Sequence, residues 1–170
     1  MLQSLKMLEK IAKYSIYLQK QFNTFKTKTD REAELIDSML HKLKKKEVVI
    51  YLLIIDNFMV GFVALSVNKL ISKVFELPAV EIEYLFVDKD FRGEIIKSLN
   101  QKASEYLIYQ TKIISKQIQE NVGVRSIILY PDMQNKKLID FYVKIGFHKE
   151  KIITYKNNKK EFEYWLITKI

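Results

Sequence analysis

Residues 80–93 of the chain read VEIEYLFVDKDFRG. The first eight, Val80 to Val87, are mostly apolar, β-branched or aromatic and read as a strand. Glu81 and Glu83 interrupt this run at every second position, which predicts both carboxylates on one face of the strand. Asp88 to Gly93 reads as a short polar loop. Glu94 to Glu120 then carries a long helical pattern that ends before Asn121 and Gly123, and SIILY (Ser126 to Tyr130) reads as another strand, stopped by Pro131. A strand, a helix and a strand in this order predict a parallel pair joined by a right-handed crossover.

Toward the N-terminus, Leu2, Leu5, Leu8, Ile11, Ala12 and Ile16 recur at gaps of three and four, which predicts an amphipathic helix from Leu2 to Phe22. Asn23 to Thr29 is a connection. Thr29 followed by Glu32 is a capping-box pattern, and a second helix is predicted from Asp30 to Lys46 with Leu35, Ile36, Met39, Leu40 and Leu43 on one face. VVIYLLII (Val48 to Ile55) and Met59 to Val67 read as a hairpin turned at Asp56-Asn57. Asn68 to Pro78 reads as a connection. On the C-terminal side, Lys136 to Lys144 is a short helix that Asn135 can cap, with Gly146 just beyond it. His148 to Tyr155 and Glu161 to Thr168 read as two strands around the turn Lys156-Asn157-Asn158-Lys159. The expectation is an α/β (α+β) chain with a mixed central sheet of about six strands flanked by helices. No internal repeat or linker divides it, so residues 1–170 are expected to form one domain, with helices in 1–46 and the sheet core in 48–170.

The 170 residues are 48% hydrophobic, enough for a sizeable core, with only 4 Gly and 2 Pro. Cysteine is absent, which excludes disulfides, thiolate nucleophiles and Cys-containing zinc sites. His41 and His148 are far apart in sequence, so no metal site is expected. Lys6, Glu9, Lys10 and Lys13 interrupt any apolar leader, and no apolar run reaches the ~18 residues that span a bilayer, so a cytoplasmic chain without membrane contact is expected. The net charge of +9 could suit an anionic partner such as nucleic acid, a phosphate-rich cofactor or a membrane surface, but the Lys-, Ile- and Asn-rich usage of an AT-rich genome carries more weight as its source. The lysines at 42 and 44–46 suit a solvated helix end.

Three segments resemble the GNAT N-acetyltransferase superfamily. Val60-Gly61-Phe62-Val63-Ala64-Leu65 is similar to the family's glycine-containing strand, Glu81 to Gly93 (EIEYLFVDKDFRG) to its central strand and pyrophosphate loop, and Asn135 to Phe147 (NKKLIDFYVKIGF) to its "N…FY…GF" helix and exit. The resemblance covers roughly Val48 to Ile170. It implies acetyl-CoA as co-substrate and a primary amine as acceptor, on a small molecule, a protein or an aminoacyl-tRNA. The stretch Tyr51 to Leu70 is mildly similar to GNAT toxins that acetylate charged tRNA, and dimers are common in the superfamily. Tyr142 matches the tyrosine that donates to the CoA sulfur, Glu81 a glutamate used as general base, and Glu83 is its neighbour at strand spacing. Leu85, Phe86 and Val87 would bind the pantetheine arm, and Asn135 would reach the pantetheine or adenosine side.

The resemblance places the pyrophosphate at Arg92, Gly93, Glu94, Ile95, Ile96 and Lys97, where a loop is expected to run into a helix and offer free backbone N–H groups. The family loop reads R/Q-x-x-G-x-G/A. Here its two later small positions hold Ile95 and Lys97. A β-branched side chain there crowds a phosphate that glycine would admit, and Glu94 adds negative charge beside it. This departure sets a second expectation beside the enzyme: a GNAT-like module that binds without transferring.

Overall fold

A computed structural model of the chain describes residues 6–71, 76–132, 134–156 and 159–170. In chain order the elements are β1 (Lys6–Ile11), α1 (Ile16–Thr24), α2 (Asp30–Lys44), β2 (Val49–Ile55), β3 (Phe58–Ile71), β4 (Glu76–Val87), a 3-10 turn (Lys89–Phe91), β5 (Ile95–Ile96), β6 (Gln101–Lys102), α3 (Ala103–Val122), β7 (Ser126–Leu129), α4 (Lys136–Lys144), β8 (His148–Lys156) and β9 (Lys159–Lys169). The backbone divides into two compact units. The first holds residues 1–66 and 83–111, the second 67–82 and 112–170. The divisions fall inside β3, β4 and α3, not in a linker.

In the first unit the strand order is β1-β2-β3-β4. The β2–β3 hairpin turns on Asp56 and Asn57, both at positive φ (50° and 69°), which is the two-residue turn that matches strand twist. Leu53 pairs with Gly61 and Ile54 with Met59, so the ladder skips Val60. The Val60 carbonyl accepts the Asp88 N–H at 2.9 Å. The core of this unit includes Leu18, Ile36, Met39, Leu43, Ile50, Leu52 and Phe62, all buried. Helix α2 begins as its sequence indicates, with Thr29 Oγ1 accepting from the Glu32 N–H at 3.2 Å and Glu32 Oε2 accepting from the Lys28 N–H at 2.7 Å.

Two predicted elements differ in this unit. The helix expected from Leu2 to Phe22 is instead β1 followed by α1. Residues 6–11 pair antiparallel with Ile55 through Ile50 and cover the edge of an apolar strand. Ser15 then caps α1, its hydroxyl accepting from the Leu18 N–H at 3.2 Å. The long middle helix starts at Ala103, not Glu94. Gly93 (φ 81°) stops the chain first, and Ile95–Ile96 pair with Gln101–Lys102 across a turn closed by Asn100 at φ 54°. Buried Leu99 anchors this small hairpin. The gaps of three and four among Ile95, Ile96 and Leu99 imitate a helix face.

In the second unit the strand order is β3-β4-β7-β9-β8. The expected parallel pair is present: Ala79, Val80 and Glu81 pair with Ser126, Ile127 and Ile128. β7 and β8 each pair antiparallel with β9. Ala79, Ile128 and Ile167 form a buried cluster with Trp165 against it. Asn135 caps α4 by accepting the Leu138 N–H at 3.1 Å, and Gly146 ends it at φ 99°. Among the described residues the main sheet therefore has seven strands where about six were expected, because β1 was read as helix. The connection expected at Asn68 to Pro78 is largely strand, since β3 runs to Ile71 and β4 starts at Glu76. Of the turn expected at 156–159, Asn157 and Asn158 lie outside the described residues.

Candidate functional site

The sequence-derived site residues fall in both units. Tyr142, on α4 in the second unit, is only 6% exposed. The rings of Phe141 and Phe147 stand edge-on to it, with centroids 5.1 and 5.6 Å away. Burial pushes its phenol up from the ordinary value of 10.0 to about 12. Its hydroxyl has no hydrogen-bond partner among the described residues. The phenol therefore stays protonated across the physiological range.

The two carboxylates of β4 have different partners. Glu81, in the second unit, is buried and accepts from Asn68 Nδ2 at 2.7 Å. Glu83, in the first unit, accepts from Lys42 Nζ at 2.6 Å through one oxygen and from Ser66 Oγ at 3.0 Å through the other. Lys42 was read from the sequence only as part of a solvated helix end, and Ser66 and Asn68 were not picked out, because nothing local marks a residue on α2 or β3 as a partner for β4. Leu85 and Phe86 are half-buried and Val87 is buried; Phe86 packs at 5.6 Å from the Phe62 ring.

The exit of β4 is a charged network. Arg92 donates from both terminal nitrogens to the two oxygens of Glu32, each at 2.8 Å, and from Nε to the Val87 carbonyl at 2.8 Å. This pairing and the Lys28 N–H hold the Glu32 carboxyl below the usual glutamate range. Asp88 accepts from the Lys26 and Asp90 backbone N–H groups at 2.7 and 2.9 Å, and Lys26 pairs with Asp90. Arg92 is thus tied to the start of α2, and no helix begins at Arg92 to Lys97 as expected. Gly93, Glu94, Ile95 and Lys97 are exposed and Ile96 half-buried in the hairpin beyond. The free N–H groups of a helix start lie instead in the first turn of α3, at Ala103 to Tyr106. Asn135 spends its side-chain oxygen on the α4 cap.

No protein-family model matches the chain. An uncharacterized N-acetyltransferase of Methanocaldococcus jannaschii is 31% identical over 112 residues, which are 65% of this chain and 44% of that protein, so the chain matches less than half the length of this relative. The toxin AtaT, as a tyrosine-to-phenylalanine mutant bound to the C-terminus of the antitoxin AtaR and acetyl-CoA, superposes with a TM-score of 0.67 over 96% of this chain and 92% of its own at 16% identity. AtaT complexed with acetyl-methionyl-tRNAfMet gives 0.66 over 97% and 95%, also at 16% identity. A KacTA–DNA complex gives 0.65 over 97% and 93% at 18%. This is the GNAT fold. Gly61, in the strand that resembles the GNAT one, has a local reason here: a Cβ on it would lie 2.8 Å from the Phe86 carbonyl oxygen and 3.2 Å from Leu107 Cδ1, so a glycine lets β3 approach β4 and α3. Gly146, in the segment that resembles the GNAT "GF" exit, supplies the left-handed residue that ends α4. Among the described residues no group of side chains could hold a metal ion, and no helix is long and apolar enough to cross a membrane.

Proposed function

We propose that this chain is an N-acetyltransferase that moves the acetyl group of acetyl-CoA to a primary amine. The observation that carries the reading is Tyr142: a buried phenol, held neutral and without a hydrogen-bond partner, in the segment that resembles the family's proton donor. The match to an N-acetyltransferase and the acetyl-CoA complexes among the structural neighbours support it. AtaT and KacT have each been solved as a tyrosine-to-phenylalanine mutant.

In this reading the amine nitrogen attacks the thioester carbonyl carbon, the carbon–sulfur bond breaks, and the acetyl group stays on nitrogen. The proton lost from nitrogen goes to Glu81, directly or through water, and Tyr142 returns a proton to the leaving CoA sulfur. Glu83, already bound to Lys42 and Ser66, serves as the neighbouring charge that orients a cationic acceptor. Backbone groups at Leu85 to Val87 take the pantetheine amides. Arg92 keeps the β4 exit in place, and the pyrophosphate takes the α3 first-turn amides, with Lys97 and Lys102 as nearby cations. Aminoacyl-tRNA is the acceptor that the charge of +9 and the AtaT complex with acetyl-methionyl-tRNA favour. Action in the cytoplasm, where such substrates occur, and assembly with a second copy or a protein partner belong to the same reading.

The hairpin in place of a glycine-rich loop favours a second reading, a module that binds acyl-CoA without transfer. Thermal unfolding with acetyl-CoA, followed by CoA thiol release against small amines, peptide amines and aminoacyl-tRNA, separates the two. A raised melting temperature with thiol release supports the enzyme. A raised temperature with no release from any amine supports the module. Absence of any shift overturns both.

A further inference from the structure

Helices α1 and α2 and their connection line a half-open groove of about 470 Å3 within the first unit, a size that suits small organic ligands. None of the residues assigned to acetyl transfer lines it. Among its lining residues Phe22 and Leu40 are half-buried, and Gln19, Asn23, Asp37, His41 and Lys44 are exposed. Gln19 and Asn23 stand four residues apart on α1. Asp37 and His41 stand four apart on α2, with Lys44 a turn further on. Residues at this spacing share a helix face. The side chains of Gln19, Asn23, Asp37 and His41 have no hydrogen-bond or ion-pair partner among the described residues. Lys44 Nζ lies 4.5 Å from the centre of the Tyr14 ring, which places its charge at the same groove.

Charge is laid out along α2 with a direction. A carboxylate stands at one end, an imidazole roughly 6 Å further along and an ammonium roughly 10 Å away, from the helical rise per residue. An extended peptide of two or three residues covers about 7 to 10 Å. A free amino acid is too short to reach both ends, and a nucleotide brings no cation to Asp37. We propose that this groove binds a di- or tripeptide with free ends. Its ammonium pairs with Asp37 and its carboxylate with His41 and Lys44. The side-chain amides of Asn23 and Gln19 meet the peptide bond, and an apolar side chain rests on Phe22 and Leu40.

The test is thermal unfolding of the whole chain without acetyl-CoA, so its outcome does not depend on the acetyl-transfer reading. The probes are Ala-Phe and Ala-Phe-Ala at millimolar concentration, the same dipeptide acetylated and amidated at its ends, and AMP. Free-ended peptides should raise the melting temperature and the blocked one should not. Asp37→Asn and Lys44→Gln, both at exposed positions, should each weaken binding about tenfold, the loss expected for one charge-assisted hydrogen bond. No shift with free peptides, an equal shift with the blocked peptide, binding untouched by both substitutions, or a shift with AMP alone would overturn the assignment.

Discussion

The exit of β4 is held by charge, and the end of α4 is held by burial. At the exit, Arg92, Glu32, Lys26, Asp88 and Asp90 close on one another across sequence separations of 60 to 64 residues. Around Tyr142 the neighbours are the rings of Phe141 and Phe147, close in sequence and apolar. The difference bears on which motif residue stays available for chemistry. An arginine that meets a glutamate loses its donors to it. A phenol packed among rings keeps its polar tip unspent, and its proton is held more tightly as well.

The largest expected effect tests the burial side. Tyr142→Phe should lower turnover by about 10²-fold or more, as removal of a general acid does, while the KM for acetyl-CoA and the melting temperature stay close to wild type. Thiol-release kinetics and a thermal melt read this; equal losses of binding and rate would make Tyr142 a packing residue. Next, Gly61→Ala should destabilise the protein by about 1–3 kcal/mol in urea unfolding, because the Phe86 carbonyl cannot retreat from the added methyl as a flexible side chain could. A neutral result would mean that β3 and β4 can part without cost.

The charge side should give smaller numbers. Arg92 and Glu32 are 29% and 19% exposed, so solvent screens part of their attraction. A double-mutant cycle with Arg92→Gln and Glu32→Gln should show a coupling of about 1 kcal/mol. The lowered Glu32 carboxyl sets the pH window. Its contribution is present above the ordinary glutamate value of 4.5 and is lost as pH falls through the lowered one. The stability gap between wild type and Glu32→Gln should therefore close in acid; a gap that persists below that range would remove the ion pair as its source. A further effect, on the burial side, is alkaline. With the Tyr142 phenol raised, stability is whole below pH 10 and is lost as pH rises toward about 12. Tyr142→Phe should lack that share of the alkaline loss, measured by urea unfolding at successive pH values.

Several parts of this molecule were legible from neighbours in sequence. The Thr29 cap, the Asp56-Asn57 turn, the Asn135 cap, the parallel crossover and the placement of Tyr142 on α4 each depend on a few adjacent residues or a short period. Two elements were misread for a common reason. Leu5, Leu8 and Ile11 have the gaps of a helix, as do Ile95, Ile96 and Leu99, and a gap cannot tell a helix face from a strand whose partner is elsewhere. β1 needed the open edge of β2, and the hairpin of β5 and β6 needed the left-handed Asn100.

The sequence by itself determined the β2–β3 hairpin, the strand–helix–strand crossover, the helix caps and the absence of thiol chemistry, and it set Tyr142 on α4. Only the tertiary structure decided that Arg92 belongs to Glu32, that Glu83 belongs to Lys42 and Ser66, and that the long helix opens at Ala103. Periodicity and caps act over one or two turns of chain, whereas an ion pair is chosen by whichever opposite charge the fold brings within about 3 Å, and that choice is written in no single stretch.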